Sequence, residues 1–393
     1  MTLALSDIQF LASDSGVQLL NRLTSEDLSE TATLRLLTSL RKDYAPQQAS
    51  TALEMARLRI KAVEKFGADA SRMFFTRDAL EQASDPLVRK YRASQIGVKR
   101  IVDACCGIGA DSLVLSATGA DVMGIDQDAL RIEIARYNAA SLGLSARFQV
   151  GDVCAALPDA DLIFFDPARR DEQGRRIYNV ENYLPPLSTI NDWTHQQVVV
   201  KLSPGVDLAQ LEPYAGRVEF ISVNGDLKEA VLWRDGDGKK LTATLLTNNG
   251  EILKWEADAG SSDSSSPLSE PRAWLVEPDP ALLRAGLVQD VAAHFGGNLL
   301  DETIAYFTTN DKPHSLCVRS WEILDWMPFN LKHLRTYLRD HHVGHVTVKK
   351  RGTAVTPETL IPQLKLKGNK SRVLILTRCQ GRQIVMVCAE YAP

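Results

Sequence analysis

The sequence is poor in the residues that build disulfide or zinc scaffolds. Only six cysteines occur in 393 residues, and no two of them form a Cys-x-x-Cys pair. The pattern therefore suggests neither a zinc ribbon nor a disulfide-stapled domain. No apolar run approaches the length of about 20 residues that a membrane span needs. The first residues lack the basic start and apolar core of a secretion signal. We therefore expect a cytoplasmic protein that binds no metal and enters no membrane.

Charge is unevenly distributed along the chain. Residues 330–393 contain twelve lysines and arginines but three acids, a net charge of +9 that leaves −13 for residues 1–329. The basic residues cluster at 349–351 and at 365–372. Such clusters can bind phosphates without reading a base sequence. A solvated basic face explains any single cluster equally well, but the excess over the whole segment favours a polyanionic partner.

A glycine-rich turn follows the first strand-like run, residues 100–102, and reads Asp103-Ala-Cys-Cys-Gly107-Ile-Gly109. Glycine has no Cβ and tolerates a positive φ, so a ligand can approach the backbone of such a turn closely. The next strand-like run ends in Asp126, 23 residues after Asp103. A carboxylate at this place accepts hydrogen bonds from both hydroxyls of a ribose. The predicted cofactor-binding residues here are Asp103, Cys105, Gly107, Gly109, Asp126 and Gln127.

Dehydrogenases share this kind of turn, but three features count against NAD. The third small position of the dinucleotide fingerprint is Ser112, so the fingerprint is incomplete. A carboxylate at Asp103 would repel a pyrophosphate, whereas it attracts the amino and sulfonium charges of S-adenosylmethionine (SAM). Asp152 and Val153 follow the third strand-like run, where an adenine amino group can be held. For Asp152 alone, an ordinary turn cap is as good an interpretation.

Strand-like and helix-like runs alternate from residue 100 onward, which predicts a parallel, doubly wound α/β sheet of the Rossmann-like type. The runs at 218–223 and 230–233 are separated by a short Asn224-Gly225 connection. That connection is too short for a helical crossover. We therefore expect one late antiparallel strand in an otherwise parallel sheet.

The fourth strand-like run, 162–165, leads into Asp166-Pro-Ala-Arg169. With the glycine turn, this segment resembles class I SAM-dependent methyltransferases of nucleic-acid bases, whose reaction loop reads Asn/Asp-Pro-Pro-Tyr or Asp-Pro-Pro-Arg. The resemblance implies that Asp166 accepts a hydrogen bond from the target amine. It also implies that Pro167 stiffens the loop and that Arg169 binds a phosphate or a base edge.

Two sequence features bear on which atom is methylated. Ala168 replaces the second proline, and the motif has no aromatic residue to stack on a base, so Phe165, Tyr178 or the segment 72–75 would have to do so. Methylation of pyrimidine carbon 5 needs a cysteine after the fifth strand-like run, where the chain reads Lys201-Leu-Ser-Pro. A covalent carbon-5 mechanism is therefore disfavoured, and a base nitrogen is the expected target.

Helix signals dominate residues 1–98, which we predict to form an N-terminal helical domain. Thr24 can cap one helix, Pro46 can begin a second that runs to about residue 65, and Asp85-Pro86 can begin a third. The apolar side predicted for the second helix comprises Leu53, Ala56, Leu58, Ile60 and Val63.

Composition divides the rest of the chain into three segments. Residues 99–256 carry the cofactor motifs and form the predicted methyltransferase domain, which ends in a hairpin-like pair of runs. The serine-rich stretch 257–271 has the composition of a flexible linker. Residues 272–393 alternate strand-like and helix-like runs, with one helix predicted over 280–295, and form a basic α/β domain.

The order of these segments resembles that of bacterial methyltransferases with a C-terminal THUMP-like domain, a group related to trimethylguanosine synthases. The resemblance implies SAM as cofactor, RNA as partner and methyl transfer to RNA as the activity. Two alternatives stay open on the residues alone. The protein methylates a protein or a small molecule instead, or it is a non-catalytic RNA-binding protein that retains a SAM fold.

Overall fold

The computed structural model describes residues 3–171, 173–193, 197–234, 236, 239–258 and 266–391. The chain divides into two compact units. The first comprises Met1–Gly216 with Lys228–Asp237, and the second comprises Arg217–Leu227 with Gly238–Pro393. The segment boundaries at 98, 256 and 271 stay predictions, and residues 259–265 of the predicted linker lie outside the described residues.

The first unit begins with six helices: α1 (Leu5–Ala12), α2 (Asp14–Leu23), α3 (Thr33–Leu40), α4 (Pro46–Phe66), α5 (Arg77–Gln82) and α6 (Pro86–Ser94). Pro46 and Pro86 occupy first-turn positions, where the missing N–H would have no helical partner. The Asp85 carboxylate caps α6 by accepting from the Leu87 N–H (2.9 Å). Thr24 caps a helix at its C-terminal end rather than its N-terminal end: it follows α2, and its hydroxyl donates back to the Asn21 carbonyl (2.7 Å).

A parallel sheet with flanking helices α7 and α8 follows in the same unit. Its elements are β1 (Arg100–Ala104), α7 (Ala110–Ala117), β2 (Asp121–Asp126), α8 (Ala129–Leu142), β3 (Arg147–Val150), β4 (Leu162–Phe165) and β5 (Gln197–Leu202). In space the strand order is β3-β2-β1-β4-β5, and all these neighbours are parallel. The carboxyl ends of all five strands therefore meet at one edge of the sheet, where α/β folds bind their ligands.

The predicted late antiparallel strand is confirmed. After β6 (Arg217–Val223), which belongs to the second unit, the chain forms β7 (Asp226–Arg234). β7 runs antiparallel to β5, with Lys201 paired to Val231 and Leu202 paired to Ala230. This pairing brings Glu229 to the same edge as the carboxyl end of β5.

One apolar core joins the helical lead-in to this sheet. Leu53, Met55 and Leu58 of α4 pack in the same buried cluster as Ile132 of α8. The segment after α4 is pinned by Asn138, whose side chain accepts from the Phe74 N–H (2.7 Å) and donates to the Phe74 carbonyl (3.1 Å) and the Ile108 carbonyl (3.3 Å). Asn138 thus ties the lead-in to the loop between β1 and α7.

The second unit contains β6 and two further strands, β8 (Lys240–Leu246) and β9 (Ile252–Asp258). β6 is parallel to β8. β8 and β9 pair antiparallel, as the hairpin-like pair of runs predicts. The later elements are β10 (Trp274–Pro278), α9 (Pro280–Arg284), α10 (Val288–His294), β11 (Asn298–Asp301), β12 (Ile304–Thr309), β13 (Val318–Pro328), α11 (Leu331–Asp340), β14 (Val343–Lys350), α12 (Pro357–Leu364), β15 (Lys370–Cys379) and β16 (Arg382–Cys388).

Strands β10 to β16 form one sheet in the order β11-β12-β10-β13-β16-β15-β14. Alternate residues along β15 enter different cores: Ile375 packs in one buried cluster, and Leu374 and Leu376 in another with Leu334 of α11 and Leu360 of α12. Successive side chains of a strand point to opposite faces of its sheet, so this alternation shows that both faces of the sheet are buried along β15. Among the described helices, none is both long and apolar enough to span a membrane.

Candidate active site

The loop between β1 and α7 is shaped by backbone hydrogen bonds and left-handed residues. The N–H groups of Cys105 and Cys106 both donate to the Ile125 carbonyl (2.8 and 3.1 Å), which fastens the loop to the end of β2. Cys105, Gly107 and Gly109 have φ values of 66°, 56° and 82°. Burial, followed by the nearby Asp126 charge, raises the pKa of the Cys105 thiol, so this cysteine is not an activated nucleophile.

The two glycines of this loop face opposite surroundings. A Cβ on Gly109 would lie 3.1 Å from Phe148 Cζ and 3.3 Å from Ala135 Cβ, so Gly109 permits close packing of the loop on the sheet. A Cβ on Gly107 would meet nothing within 4 Å. Gly107 therefore borders open space at the carboxyl edge of the sheet, where a ligand can come close to the backbone.

Asp126, at the end of β2, holds the loop from the other side. Its Oδ2 accepts from the Gly107 N–H (2.9 Å) and its Oδ1 accepts from the Asp128 N–H (3.0 Å). Each carboxylate oxygen can accept a second hydrogen bond. The neighbouring Gln127 is exposed. Both carboxylate oxygens of Asp126 can therefore accept a further hydrogen bond from the hydroxyls of a diol that lies over Gly107.

Asp103 is the most deeply buried acid of this edge, with 1% of its surface exposed. Its Oδ2 accepts from the Ser112 hydroxyl. Its Oδ1 is buried and finds no hydrogen-bond partner among the residues that the structure describes. Burial, and next the repulsion by Asp111, raise the pKa of Asp103 well above its ordinary value. A buried carboxyl oxygen without a partner suits a cationic ligand group, which would supply the missing donor.

Asp152 and Val153 lie just beyond β3. The Asp152 Oδ1 accepts from the Cys154 N–H (2.9 Å), and Asp152 is exposed whereas Val153 is buried. The adjacent Gly151 N–H donates to the Asp126 carbonyl (3.1 Å), which places this turn beside the cofactor loop. Both the ordinary turn cap and a contact to a ligand are compatible with this arrangement.

The Asp-Pro-Ala-Arg segment leaves β4 at the same edge. The Asp166 N–H donates to the Ala104 carbonyl (3.1 Å), so the reaction loop lies next to the start of the cofactor loop. Pro167 is buried, and Arg169 Nη2 lies 3.7 Å from Asp166 Oδ1. The loop then folds back on itself, because Ala168 forms a bridge with Leu184. All the predicted site residues therefore line one edge of one sheet.

Of the aromatic residues considered for base stacking, the structure leaves Tyr178 accessible. Tyr178 is 71% exposed and follows Ile177, whose N–H donates to the Arg169 carbonyl (2.9 Å). Phe165, Phe74 and Phe75 are fully buried. They pack in the interior and would have to move to reach a substrate.

Sequence reasoning assigned no role to Lys201, which lies beside Asp166. Its Nζ donates to Asp166 Oδ2 (2.7 Å) and lies 3.6 Å from Asp111 Oδ2. A signal was present in the sequence, since Lys201 follows the apolar run 198–200 near the carboxyl end of β5. Within the described ranges, no group of three or more His, Cys, Asp or Glu side chains is arranged to hold a metal ion.

Comparisons with known proteins identify the domains that carry these residues. A methyltransferase-domain family model matches residues 101–166, a THUMP domain-like model matches 318–390, and a domain of unknown function matches 4–62. A crystal structure of a provisionally named methyltransferase from Porphyromonas gingivalis has a TM-score of 0.74 at 19% identity, over 93% of this chain and 99% of that one. Fold and site together define a methyltransferase with a THUMP-like C-terminal part.

Sequence relatives identify the family. An uncharacterized S-adenosylmethionine-dependent methyltransferase of Mycobacterium tuberculosis is 32% identical over 358 residues, which cover 88% of this chain and 96% of that protein. An uncharacterized RNA methyltransferase of Gloeobacter violaceus is 44% identical over 73 residues, 18% of this chain and 16% of that protein. The chain belongs to the SAM-dependent methyltransferases. The predicted enzyme class, fold and cofactor are confirmed.

Proposed function

We propose that this enzyme transfers the methyl group of SAM to a base nitrogen of RNA. The observation that carries the proposal is the Asp166 carboxylate, which lies at the ligand-binding edge of the sheet with one oxygen already bonded to Lys201 at 2.7 Å. The other oxygen, Oδ1, is left to accept from a substrate N–H. This arrangement suits an amine target, which needs orientation more than a strong base.

The cofactor would lie across the carboxyl ends of β1, β2 and β3. The partnerless Oδ1 of Asp103 would accept from its amino group, and Gly107 would let it approach the loop backbone. Cys105 and Gly109 would hold the loop around it in its left-handed conformation. The ribose hydroxyls would donate to Asp126, beside Gln127. Asp152 and Val153 would hold the adenine.

Bound SAM supplies an electrophilic methyl group next to the reaction loop. The target nitrogen is held with its N–H donating to Asp166, so that its lone pair points along the line of attack. As the N–C bond forms, the S–C bond breaks and its electron pair stays on sulfur. The displaced N–H proton leaves through the Asp166 carboxylate to solvent. Pro167 restrains the loop, and Arg169 binds a phosphate or a base edge.

RNA is favoured over other substrates by the charge of the C-terminal part. Residues 330–393 carry a net charge of +9 and include most of the THUMP-like match, and the G. violaceus relative is named an RNA methyltransferase. Beside the reaction loop, Arg170, Arg175 and Arg176 are exposed, as is Tyr178. These side chains offer phosphate contacts and a stacking surface next to Asp166. A cytoplasmic location, where RNA is accessible, belongs to the same proposal.

Calorimetric titration of the purified protein with SAM and, separately, with NAD is the first experiment. The second is transfer of tritiated methyl from SAM to total bacterial RNA, with a mixed protein extract as the parallel acceptor. We expect SAM binding without NAD binding, and label in RNA. RNA affinity should fall steeply with salt, because phosphate contacts release counterions.

Two outcomes favour the alternatives. Label in protein, with none in RNA, would establish a protein methyltransferase. SAM and RNA binding without any turnover would indicate a non-catalytic RNA-binding protein.

A further inference from the structure

A lysine inside the sheet contacts the reaction carboxylate. The Lys201 side chain is 3% exposed, and its Nζ contacts Asp166 Oδ2 at 2.7 Å and Asp111 Oδ2 at 3.6 Å. Burying an ammonium group is costly unless it is paired, and these two carboxylates provide the pairing. Lys201 thus connects the reaction loop to the first turn of α7, the helix that begins at the cofactor loop.

The ion pairs continue beyond Asp111. Arg92 of α6 is buried and pairs with both Asp111 and Glu229 of β7, and its guanidinium lies 4.9 Å from the centre of the Phe164 ring. The Glu229 Oε2 accepts from the Ser84 hydroxyl (2.9 Å). Burial alone would raise the pKa of Asp111, but the cations around it, Arg92 first, lower that pKa to about 2. The network is therefore anchored on four elements, β5, α6, α7 and β7, and the cations around Asp111 keep its carboxylate ionised at neutral pH.

Because of this anchoring, the two carboxylate oxygens of Asp166 have different surroundings. Oδ2 accepts a hydrogen bond from a lysine whose movement is restricted, because its side chain is 3% exposed and its ammonium also lies 3.6 Å from the Asp111 carboxylate. Oδ1 lies 3.7 Å from Arg169 Nη2, which is longer than a hydrogen bond. Lys201 therefore sets the orientation of the Asp166 carboxylate. Oδ1 is the oxygen that is available to a substrate.

We propose that Lys201 is a positioning residue for methyl transfer: it fixes Asp166 so that Oδ1 receives the N–H of the target nitrogen. This inference rests on the proposed function of Asp166. Lys201 touches neither substrate nor SAM in this role and acts through Asp166. Misplacement of a reacting group by about 1 Å can cost on the order of 100-fold in rate.

The test compares three variants of the full-length protein: Lys201→Met, Lys201→Arg and, as a matched control, Lys228→Met. Lys228 is a lysine of β7 whose Nζ lies 4.0 Å from Asp85 and whose side chain is 33% exposed. The measurements are the Kd of SAM, the kcat and KM of tritiated methyl transfer to total RNA, and the unfolding temperature.

For Lys201→Met we expect kcat to fall about 100-fold while KM and the SAM Kd change by less than about threefold. Lys201→Arg, which restores a cation, should recover activity to within about tenfold of the wild type. The control should match the wild type. Wild-type kcat in Lys201→Met would overturn the proposal. So would a loss shared equally by SAM binding and unfolding temperature and not rescued by arginine, since that pattern indicates a purely structural lysine.

Hydrogen exchange separates this inference from the proposed function. If the wild-type enzyme does not label RNA, the proposed substrate is wrong, and the amide exchange of peptides covering residues 162–171 decides the role of Lys201. Faster exchange there in Lys201→Met, with wild-type exchange in Lys201→Arg and in the control, would support the positioning role. Unchanged exchange in Lys201→Met would overturn it.

Discussion

The cofactor loop and the reaction loop lie at the same edge of one sheet, but different interactions hold them. Residues 103–109 are shaped mostly by main-chain N–H groups that donate to the Ile125 carbonyl and the Asp126 carboxylate, and by positive φ angles at three positions. Asp166 is held by the ammonium of Lys201, which is itself anchored through Asp111. A loop held through main-chain N–H groups tolerates changes of its own side chains while its acceptors remain, whereas a buried ion pair fails when either partner is removed.

Removing the Asp166 carboxylate tests most directly how the reaction loop is held. In Asp166→Ala we expect kcat to fall on the order of 1,000-fold, because the target loses its acceptor and Lys201 loses its nearer partner. SAM affinity should be preserved, since Asp166 is not a proposed cofactor ligand. Asp159→Ala is the control, because Asp159 is an exposed surface acid paired with Arg100. Full activity in Asp166→Ala would remove its proposed role.

Removing the acid that holds the cofactor loop should act on binding instead. In Asp126→Ala the Gly107 and Asp128 N–H groups lose their acceptor, and the ribose loses its partner. We expect SAM affinity to fall about 100-fold, or about 2–3 kcal/mol, as for hydrogen bonds to a charged group. Asp126→Asn keeps one acceptor oxygen and should lose less. Calorimetry measures both variants, and unchanged affinity in Asp126→Ala would exclude the ribose role.

The buried acid of the cofactor loop predicts a pH dependence. Burial, and next the nearby Asp111 charge, raise the pKa of Asp103 well above its ordinary value. At a pH between the ordinary pKa and the raised pKa, the free protein therefore holds a proton there that the unfolded chain would release. A cationic cofactor group favours the carboxylate, so SAM binding should release this proton. Affinity should rise with pH by up to about tenfold per unit and level off above the raised pKa.

Titrations in buffers of different ionisation heat count the released protons. Asp103→Asn should lose both the proton release and the pH dependence. A SAM affinity that is independent of pH in the wild type would contradict the assignment of Asp103 to the amino group.

The two glycines of the cofactor loop should separate packing from ligand access. Gly109→Ala places a Cβ 3.1 Å from Phe148 at a φ of 82°, so we expect about 1–2 kcal/mol of lost stability and a lower unfolding temperature. Gly107→Ala, with φ of 56°, adds a Cβ that meets no protein atom within 4 Å and lies in the space proposed for SAM. We therefore expect it to lower SAM affinity more than Gly109→Ala does, in addition to its backbone strain. Equal effects of both substitutions on SAM binding would contradict this distinction.

Local patterns predicted the elements that depend on neighbouring residues. The starts of α4 and α6 follow from Pro46 and Asp85-Pro86, and the parallel sheet follows from the alternation of runs. Other details failed. Ile60 and Val63 are exposed rather than packed, because the buried face of α4 is set by the helices around it. The helix predicted over 280–295 is two helices, α9 and α10, broken at Gly286, which has a φ of 73°.

The sequence by itself determined the class of enzyme, because a glycine turn, an acid at the next strand end and an Asp-Pro loop are short motifs whose chemistry depends on local backbone geometry. Only the tertiary structure decided how Asp166 is held. Lys201 is 35 positions away from Asp166 in the chain and Glu229 is 137 positions away from Arg92, and each pair meets only when the strands assemble. Ion pairs between distant residues leave no periodic signature in a sequence, so the positioning network at the reaction edge becomes visible only in the fold.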